Sequence, residues 1–327
     1  MTILVTGATG FLGSALVLQL LKQGQQVRIL ARDAQKVKTQ FGQAVTTIQG
    51  EITDPHQVQQ AVDGATIIYH LAGRLYHPSI ASALYQQTHV EGTRTLLAAC
   101  QGQSQLRRIV HCSTTGVYGV TGPLPAAENA PFAPTNPYEA TKLQGELLAL
   151  KAYREHGLPV SIVRPGLVYG PGDLHLLGFF VAIKKSIFRV IDGGTARLHP
   201  VYIDDMTAAL QLCAERPAAI GHCYNIAGER SITVRELATV IAHSLNTTLP
   251  GSSIPLWLAN LASDIFSITP GLQGERAPLT RSRVAFLTQS RSYSIASASR
   301  ELGYRPEVGL EEGMKQTAAW YQKHGYL

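Results

Sequence analysis

Short apolar runs alternate with helical periodicity through the first half of the chain. Ile3, Leu4 and Val5 form a run of the kind that a parallel strand buried on both faces requires. Leu12, Leu16 and Leu20 then recur at i, i+4 and i+8, predicting a helix over 11–23 that Gly24 stops. The same alternation predicts strands at 27–31, 46–49, 66–71, 108–112 and 160–164, a helix over 90–100, and another from the 136–142 segment to about 155. Repeated strand–helix units of this kind build an α/β fold with a doubly wound parallel sheet. Beyond Gly172 the regularity weakens, and 173–200 and 230–305 carry more Pro, Gly and Arg. The expected division is a first domain over 1–172, to which 201–227 returns, with 173–200 and 228–327 forming mainly a smaller C-terminal lobe over the sheet's carboxyl edge.

The first strand runs into Gly7, Gly10 and Gly13, spaced Gly-x-x-Gly-x-x-Gly at the start of the first helix. Glycines let the backbone turn sharply and approach an anion closely, and the positive end of the helix dipole attracts it. The pattern reads as a pyrophosphate cradle, and its setting as a dinucleotide-binding (Rossmann) domain. The end of the second strand then meets the adenosine ribose. It reads Ala31-Arg32-Asp33. With Ala where an acid accepts from a 2′-hydroxyl, and Arg32 beside it to suit a 2′-phosphate, NADP(H) is preferred; NAD(H) remains possible through Asp33. Ala72 and Gly73, after the fourth strand, are small enough for backbone to lie against the cofactor.

Composition narrows the class. The 327 residues are 45% hydrophobic and only 15% charged, a globular composition with a neutral polar surface. The net charge of +6 is spread along the chain with no basic block, which argues for anionic small molecules and against nucleic acid as partners. Cys100, Cys112, Cys213 and Cys223 lack metal-binding spacing, so neither a metal nor a redox pair is expected. A strand begins at the N-terminus, leaving no room for a signal peptide, and no apolar run reaches the roughly 20 residues of a membrane span. A cytoplasmic location fits best.

Candidate chemistry gathers at one sheet edge. Tyr138 and Lys142 stand four apart at the start of a predicted helix, on one face, and Tyr138 is the only one of 13 tyrosines with Lys at that spacing. A neighbouring ammonium favours phenolate, as would a nicotinamide cation, so the pair predicts a lowered phenol pKa and an acid–base role. Ser113, Thr114 and Thr115 end the fifth strand at the same edge, where a hydroxyl can hold a substrate oxygen. Between them lies a Pro-rich loop over 122–137. His70 and His111 fall inside strands and are expected to be hydrogen-bonded core histidines.

Taken together, Thr6–Gly13, His70-Leu71-Ala72, Val90-Glu91-Gly92-Thr93, Ser113–Gly119, Tyr138–Lys142, Arg164-Pro165 and Val168–Gly172 resemble the extended short-chain dehydrogenases/reductases over nearly the whole chain. The resemblance implies that Tyr138 is catalytic, that Lys142 holds the nicotinamide ribose, and that Thr114, with Ser113 second, is the hydroxyl partner. It also implies cofactor contacts from Gly7, Thr9, Gly10, Phe11, Leu12 and Gly13, from Arg32, Glu51, Ile52, Leu71, Ala72 and Gly73, and from Pro165 and Val168. Two positions depart from the family pattern: Glu51 stands where Asp is common, and His89 where Asn commonly precedes Val90. The family's habit is a homodimer through the helices after the fourth and fifth strands.

Within that family, 199–205, 278–281 and 301–306 are similar to the branch of 3β-hydroxysteroid and sterol-carboxylate dehydrogenases, with dihydroflavonol-reductase-like proteins close by. Residues 254–268 carry Ile254, Leu258, Leu261, Ile265 and Ile268 at helical spacing, plus Trp257 and Phe266. This helix is expected in the core first, with an apolar substrate wall or a weak membrane-surface contact as alternatives. Arg276, Arg281 and Arg283 are surface charges or, in a nucleotide-sugar enzyme, a diphosphate clamp. The expected function is therefore NAD(P)-dependent interconversion of a secondary alcohol and a ketone on a fairly apolar, steroid-, terpenoid- or flavonoid-like small molecule. A nucleotide-sugar epimerase or dehydratase is the alternative, and a non-catalytic dinucleotide-binding sensor or scaffold the third.

Overall fold

The computed structural model describes residues 1–122, 124–269 and 279–327; Arg276 and Pro278 lie outside the described residues. Seven parallel strands form one sheet in the order β11-β6-β5-β4-β1-β2-β3. They are β1 (Thr2–Thr6), β2 (Gln26–Ala31), β3 (Val45–Gln49), β4 (Ala65–His70), β5 (Arg108–Cys112), β6 (Val160–Pro165) and, from much later in the chain, β11 (Cys223–Ile226). Outward winding from β1 in both directions gives the doubly wound α/β sheet expected from the alternation. Ile3, Leu4 and Val5 are buried, as strands covered on both faces require.

Capping chemistry sets where the helices begin. α1 (Phe11–Lys22) follows the glycine loop directly. Asp33 accepts from the Lys36 N–H to cap α2 (Ala34–Phe41), and Asp54 caps α3 (Pro55–Val62), which carries Pro at its first position. α2 was not expected, because its only two buried apolar residues, Val37 and Phe41, leave a faint periodicity. The helix expected over 90–100 is compound: α4 (Ser82–Tyr85) leads into a π-helical turn, Gln86–Glu91, and then α5 (Gly92–Cys100). Asn136 accepts from the Glu139 N–H to start α6 (Pro137–His156), and Gly157 ends it in the left-handed conformation.

Register brings chemistry to the carboxyl ends of the central strands. Thr6 on β1 pairs with His70 on β4, and His70 with His111 on β5. Past β6 the chain makes short strands: β7 (Leu167–Tyr169), β8 (Val190–Ile191), β9 (Arg197–Leu198), β10 (Pro200–Tyr202), β12 (Ile232–Thr233) and β13 (Ser253–Ile254). They pair as β10 with β7, β12 with β9 and β13 with β8. With α7 (Leu177–Lys184), α9 (Val234–Ser244) and α12 (Leu310–Lys323) they enclose a second apolar cluster around Phe180, Ile183, Leu237, Ile241 and Tyr321. α8 (Ile203–Glu215) packs instead with the sheet cluster, through Met206 and Leu210.

The apolar helix α10 (Leu256–Ile268) departs from the core placement expected for it. It buries only its small residues, Ala259 and Ser263, and turns Trp257, Leu261, Ile265 and Ile268 outward at 66%, 49%, 50% and 75% exposure. The small residues lie inward and the bulky ones a half-turn away, so periodicity was right and its facing was inverted. Asp264 on this helix pairs with Arg281, the first residue of α11 (Arg281–Thr288), in an exposed ion pair. Among the described residues no helix is long and apolar enough to cross a membrane.

Candidate active site

The glycine loop has no room for side chains on its inner side. Gly7 sits at φ 72°, and a Cβ there would lie 2.6 Å from the Leu71 carbonyl carbon; one on Gly13 would lie 2.2 Å from the Gly7 oxygen. Gly10 is extended and serves as the N-cap of α1 without any side-chain hydrogen bond, so the first-turn N–H groups keep their donors for an outside anion. A Cβ on Gly10 would meet protein only at 3.4 Å, so its missing side chain leaves space rather than packing. These residues fit a dinucleotide pyrophosphate.

At the far end of the cradle Arg32 is exposed, and its backbone carbonyl accepts from the Gln49 side chain at 3.4 Å. Asp33 caps α2 through Oδ1, 2.9 Å from the Lys36 nitrogen. Glu51 donates its backbone N–H to Gln57 at 2.8 Å and leaves its side chain exposed. Ile52 packs so closely on Gly92 that a Cβ there would stand 2.7 Å away. Thr9, Phe11, Leu12, Ala72 and Gly73 line the same loop region, where Ala72 donates its N–H to the Thr6 hydroxyl at 3.2 Å.

Tyr138 and Lys142 share the first two turns of α6. The Thr114 side chain is near enough to the Tyr138 hydroxyl to favour its phenolate, and Thr114 Oγ1 itself accepts the Gly116 N–H at 3.0 Å. Lys142 Nζ donates to the Cys112 carbonyl at the end of β5. The other two hydroxyls are placed differently: Thr115 donates to the Pro165 carbonyl at 2.8 Å, and Ser113 Oγ is buried with no partner among the described residues. Val168 lies on β7, paired in register with Val201. Glu139, beside Tyr138, is buried and pairs with Arg291 at 2.7 Å, tying α6 to the later part of the chain.

The electrostatics correct one expectation. Burial pushes the Tyr138 phenol above its ordinary value, with the Cys112 side chain adding to the rise and the Thr114 side chain opposing it. The expected depression by Lys142 is not what prevails here, because the ammonium is directed at a backbone carbonyl and the phenol is desolvated. Lys142 is itself lowered by burial.

Behind the pair lies a set of buried histidines. His70 bonds Thr6 through Nδ1 at 2.9 Å and Thr93 through Nε2 at 3.0 Å, whereas His111 Nε2 has no partner among the described residues, so only the first is the satisfied core histidine expected. Burial, reinforced by the Lys142 charge, holds His70 down to about 3 and His89 to about 2. Tyr85 and His89 also reach the Tyr138 ring, which the sequence pattern did not single out as a site feature. The available signal was His89 itself, at a position that departs from the family pattern.

Residues 3–227 match the model of the NAD dependent epimerase/dehydratase family. The chain is 30% identical to a 2-alkyl-3-oxoalkanoate reductase of Stenotrophomonas maltophilia, over 98% of this chain and 99% of that one. It is 28% identical to a 4-hydroxy-2-methyl-3-oxo-4-farnesyl-3,4-dihydroquinoline-1-oxide ketoreductase of Stigmatella aurantiaca, over 95% and 93% of the two chains. A double mutant of the dTDP-glucose 4,6-dehydratase DesIV of Streptomyces venezuelae, solved with NAD bound, superposes with a TM-score of 0.78 at 25% identity, covering 99% of this chain and 97% of that one. With its glycine cradle, its doubly wound sheet and two thirds of its length matched, the chain belongs to the NAD dependent epimerase/dehydratase family and is an enzyme of the short-chain dehydrogenase/reductase type.

Proposed function

We propose that this enzyme interconverts a secondary alcohol and a ketone on a fairly apolar substrate, with NADP(H) preferred over NAD(H). The carrying observation is the Thr114 side chain beside the Tyr138 hydroxyl with Lys142 one turn along α6, at the same sheet edge as the glycine cradle. Tyr138 passes a proton to or from the substrate oxygen, and Thr114, whose oxygen is steadied by the Gly116 N–H, donates a hydrogen bond there. Lys142 fixes the edge through the Cys112 carbonyl and favours the phenolate that burial opposes. The nicotinamide, when bound, supplies or takes up the hydride. Gly7, Gly10 and Gly13 with the first turn of α1 would hold its pyrophosphate, Lys142 the adjoining ribose, and Pro165 and Val168 would border the ring.

Arg32 supports the NADP(H) preference, since it is exposed and makes no side-chain ion pair among the described residues. The apolar substrate class rests on the relatives, whose names specify an alkyl-oxoalkanoate and a farnesyl-bearing ketone. We take the second apolar cluster and its covering strands as the substrate-binding lobe, and α5 with α6 as the faces of a homodimer. Tyr138→Phe tests the reading with NADPH and a panel of apolar ketones, including 2-alkyl-3-oxo acids. Turnover should disappear while NADPH still quenches protein fluorescence with near-native affinity; retained turnover overturns the proposal. An epimerase or dehydratase would instead return the cofactor absorbance unchanged after each cycle.

A further inference from the structure

The ring of Tyr138 is gripped by two side chains from one irregular turn. His89 meets it edge-on, with ring centroids 5.6 Å apart and planes at 78°, and Tyr85 does so at 6.3 Å and 71°. Tyr85 and His89 are themselves 5.7 Å apart. They stand four apart across the start of the π-helical turn Gln86–Glu91. A turn closed by i→i+5 bonds holds more than four residues, so side chains four apart fall nearly in line, closer than an α-helix would set them. The irregularity is what aims both rings at one target.

Each ring is also tied by hydrogen bonds in two directions. The Arg74 backbone N–H donates to His89 Nε2 at 3.0 Å, so that nitrogen carries the lone pair and the proton sits on Nδ1. Nδ1–H therefore donates to Thr141 Oγ1 at 2.9 Å, and the Thr141 hydroxyl donates onward to the Pro137 carbonyl at 2.7 Å, on either side of Tyr138 in α6. Tyr85 accepts the His77 N–H at 2.8 Å, and its hydroxyl oxygen lies 3.2 Å from the carbonyl oxygens of Leu75 and His77, either of which can take its proton. The segment from Arg74 to His77, which leaves the sheet just past Ala72 and Gly73, is thereby fastened to the same two rings that brace Tyr138.

We propose that His89 and Tyr85 are positioning residues that hold the Tyr138 ring and lock the 74–77 segment against the first turns of α6. This deepens the reading of Tyr138 as proton donor and rests on it. His89 acts as a neutral, singly protonated imidazole and moves no proton itself.

The test uses the intact chain. In ¹⁵N-histidine spectra without cofactor, His89 should appear as the neutral Nδ1–H form with no titration between about pH 5 and 8. An Nε2–H form, or a midpoint in that range, overturns the hydrogen-bond arrangement. In kinetics, His89→Ala should lower kcat by about 10- to 100-fold with substrate KM little changed, as expected when a reacting group is loosened rather than removed. His89→Gln, which keeps an acceptor and a donor at similar reach, should recover most of that loss. Equal activity in the Ala variant and the parent, or a Gln variant no better than Ala, overturns the proposal. Tyr85→Phe removes one hydroxyl without altering the ring and serves where His89→Ala fails to fold; it should raise substrate KM, and an unchanged KM counts against the lock. Tyr138→Phe run in parallel separates the two failures. If it is inactive while His89→Ala is normal, only the positioning role falls; if it is active, the proton-donor reading falls and the ¹⁵N spectra still decide the clamp.

Discussion

The Thr114 side chain sits beside the Tyr138 hydroxyl and favours its phenolate, while Ser113, one residue before, keeps its Oγ buried with no hydrogen-bond partner among the described residues. Two adjacent hydroxyls thus have opposite expected consequences. Thr114→Ala should lower kcat by about 10²- to 10³-fold, the usual cost of losing a donor aimed at developing charge, and Thr114→Ser should restore much of it. Ser113→Ala removes a buried group that makes no hydrogen bond, so activity should hold and stability should stay level or rise. Steady-state kinetics and urea unfolding of the three variants decide it, and a Ser113 variant as damaged as the Thr114 one would reassign the role.

Cofactor choice turns on Arg32. Asp33 Oδ1 caps α2, 2.9 Å from the Lys36 nitrogen, and Arg32 is the cation beside it that would meet a 2′-phosphate. A guanidinium–phosphate contact contributes roughly 1.5–3 kcal/mol, so Arg32→Ala should weaken NADPH binding by about 10- to 100-fold and leave NADH nearly unchanged. Fluorescence titration with both cofactors measures this. Tighter NADH than NADPH binding in the parent chain would show that Arg32 does not select.

The Arg164–Glu146 pair is the principal buried charge contact, with the side chains 2% and 0% exposed. Arg164 Nε lies 3.0 Å from Glu146 Oε2, and Nη1 donates to the Glu128 carbonyl at 3.0 Å and to the Tyr118 hydroxyl. Its guanidinium also stacks 5.2 Å from the Phe132 ring, so the Pro-rich loop is pinned to β6 and α6. Arg164→Met strands a buried carboxylate and should cost about 3–5 kcal/mol, whereas Arg164→Met with Glu146→Leu should recover much of that. Urea denaturation of both variants tests it. Additive losses would mean that the two residues are not coupled.

What the residue pattern revealed, and what it did not, follows from the range of the interactions involved. Ile3–Val5, the glycines at 7, 10 and 13, and the 138/142 spacing are local, and each has one physical reading, so the sheet, the cradle and the shared helix face were legible. The direction of the Tyr138 shift was not, because it depends on how much of the chain covers the phenol, and Lys142 reaches a carbonyl thirty residues away. Nor was the convergence of Tyr85 and His89 on Tyr138, since a 3.6-residue template cannot anticipate a π-helical turn. Helix α10 shows a third case: periodicity gave its stripe, but only tertiary packing decides whether Ala259 or Trp257 faces inward.

The buried histidines make stability depend on pH in a defined sense. Burial, with Lys142 nearby, holds His70 down to about 3 and His89 to about 2, and burial lowers His111 well below the ordinary 6.5. Above about pH 7 all three are neutral in folded and unfolded chains alike, and their stabilising effect is fully present. As pH falls below 6.5 the unfolded chain takes up protons that the folded chain refuses until near pH 3, so stability drops across that window. Each group contributes up to about 1.4 kcal/mol per pH unit at the steepest, and the three together up to roughly 4. Urea unfolding at pH 7, 6 and 5 should show a steepening loss. His111→Phe keeps a ring in the strand and removes both the titrating group and the Nε2 that has no partner among the described residues, so its loss per pH unit should be smaller by up to about 1.4 kcal/mol. The difference between variant and parent isolates that residue from the carboxylates, which titrate in both. An identical pH slope in the two proteins would mean that His111 is not held neutral inside the sheet.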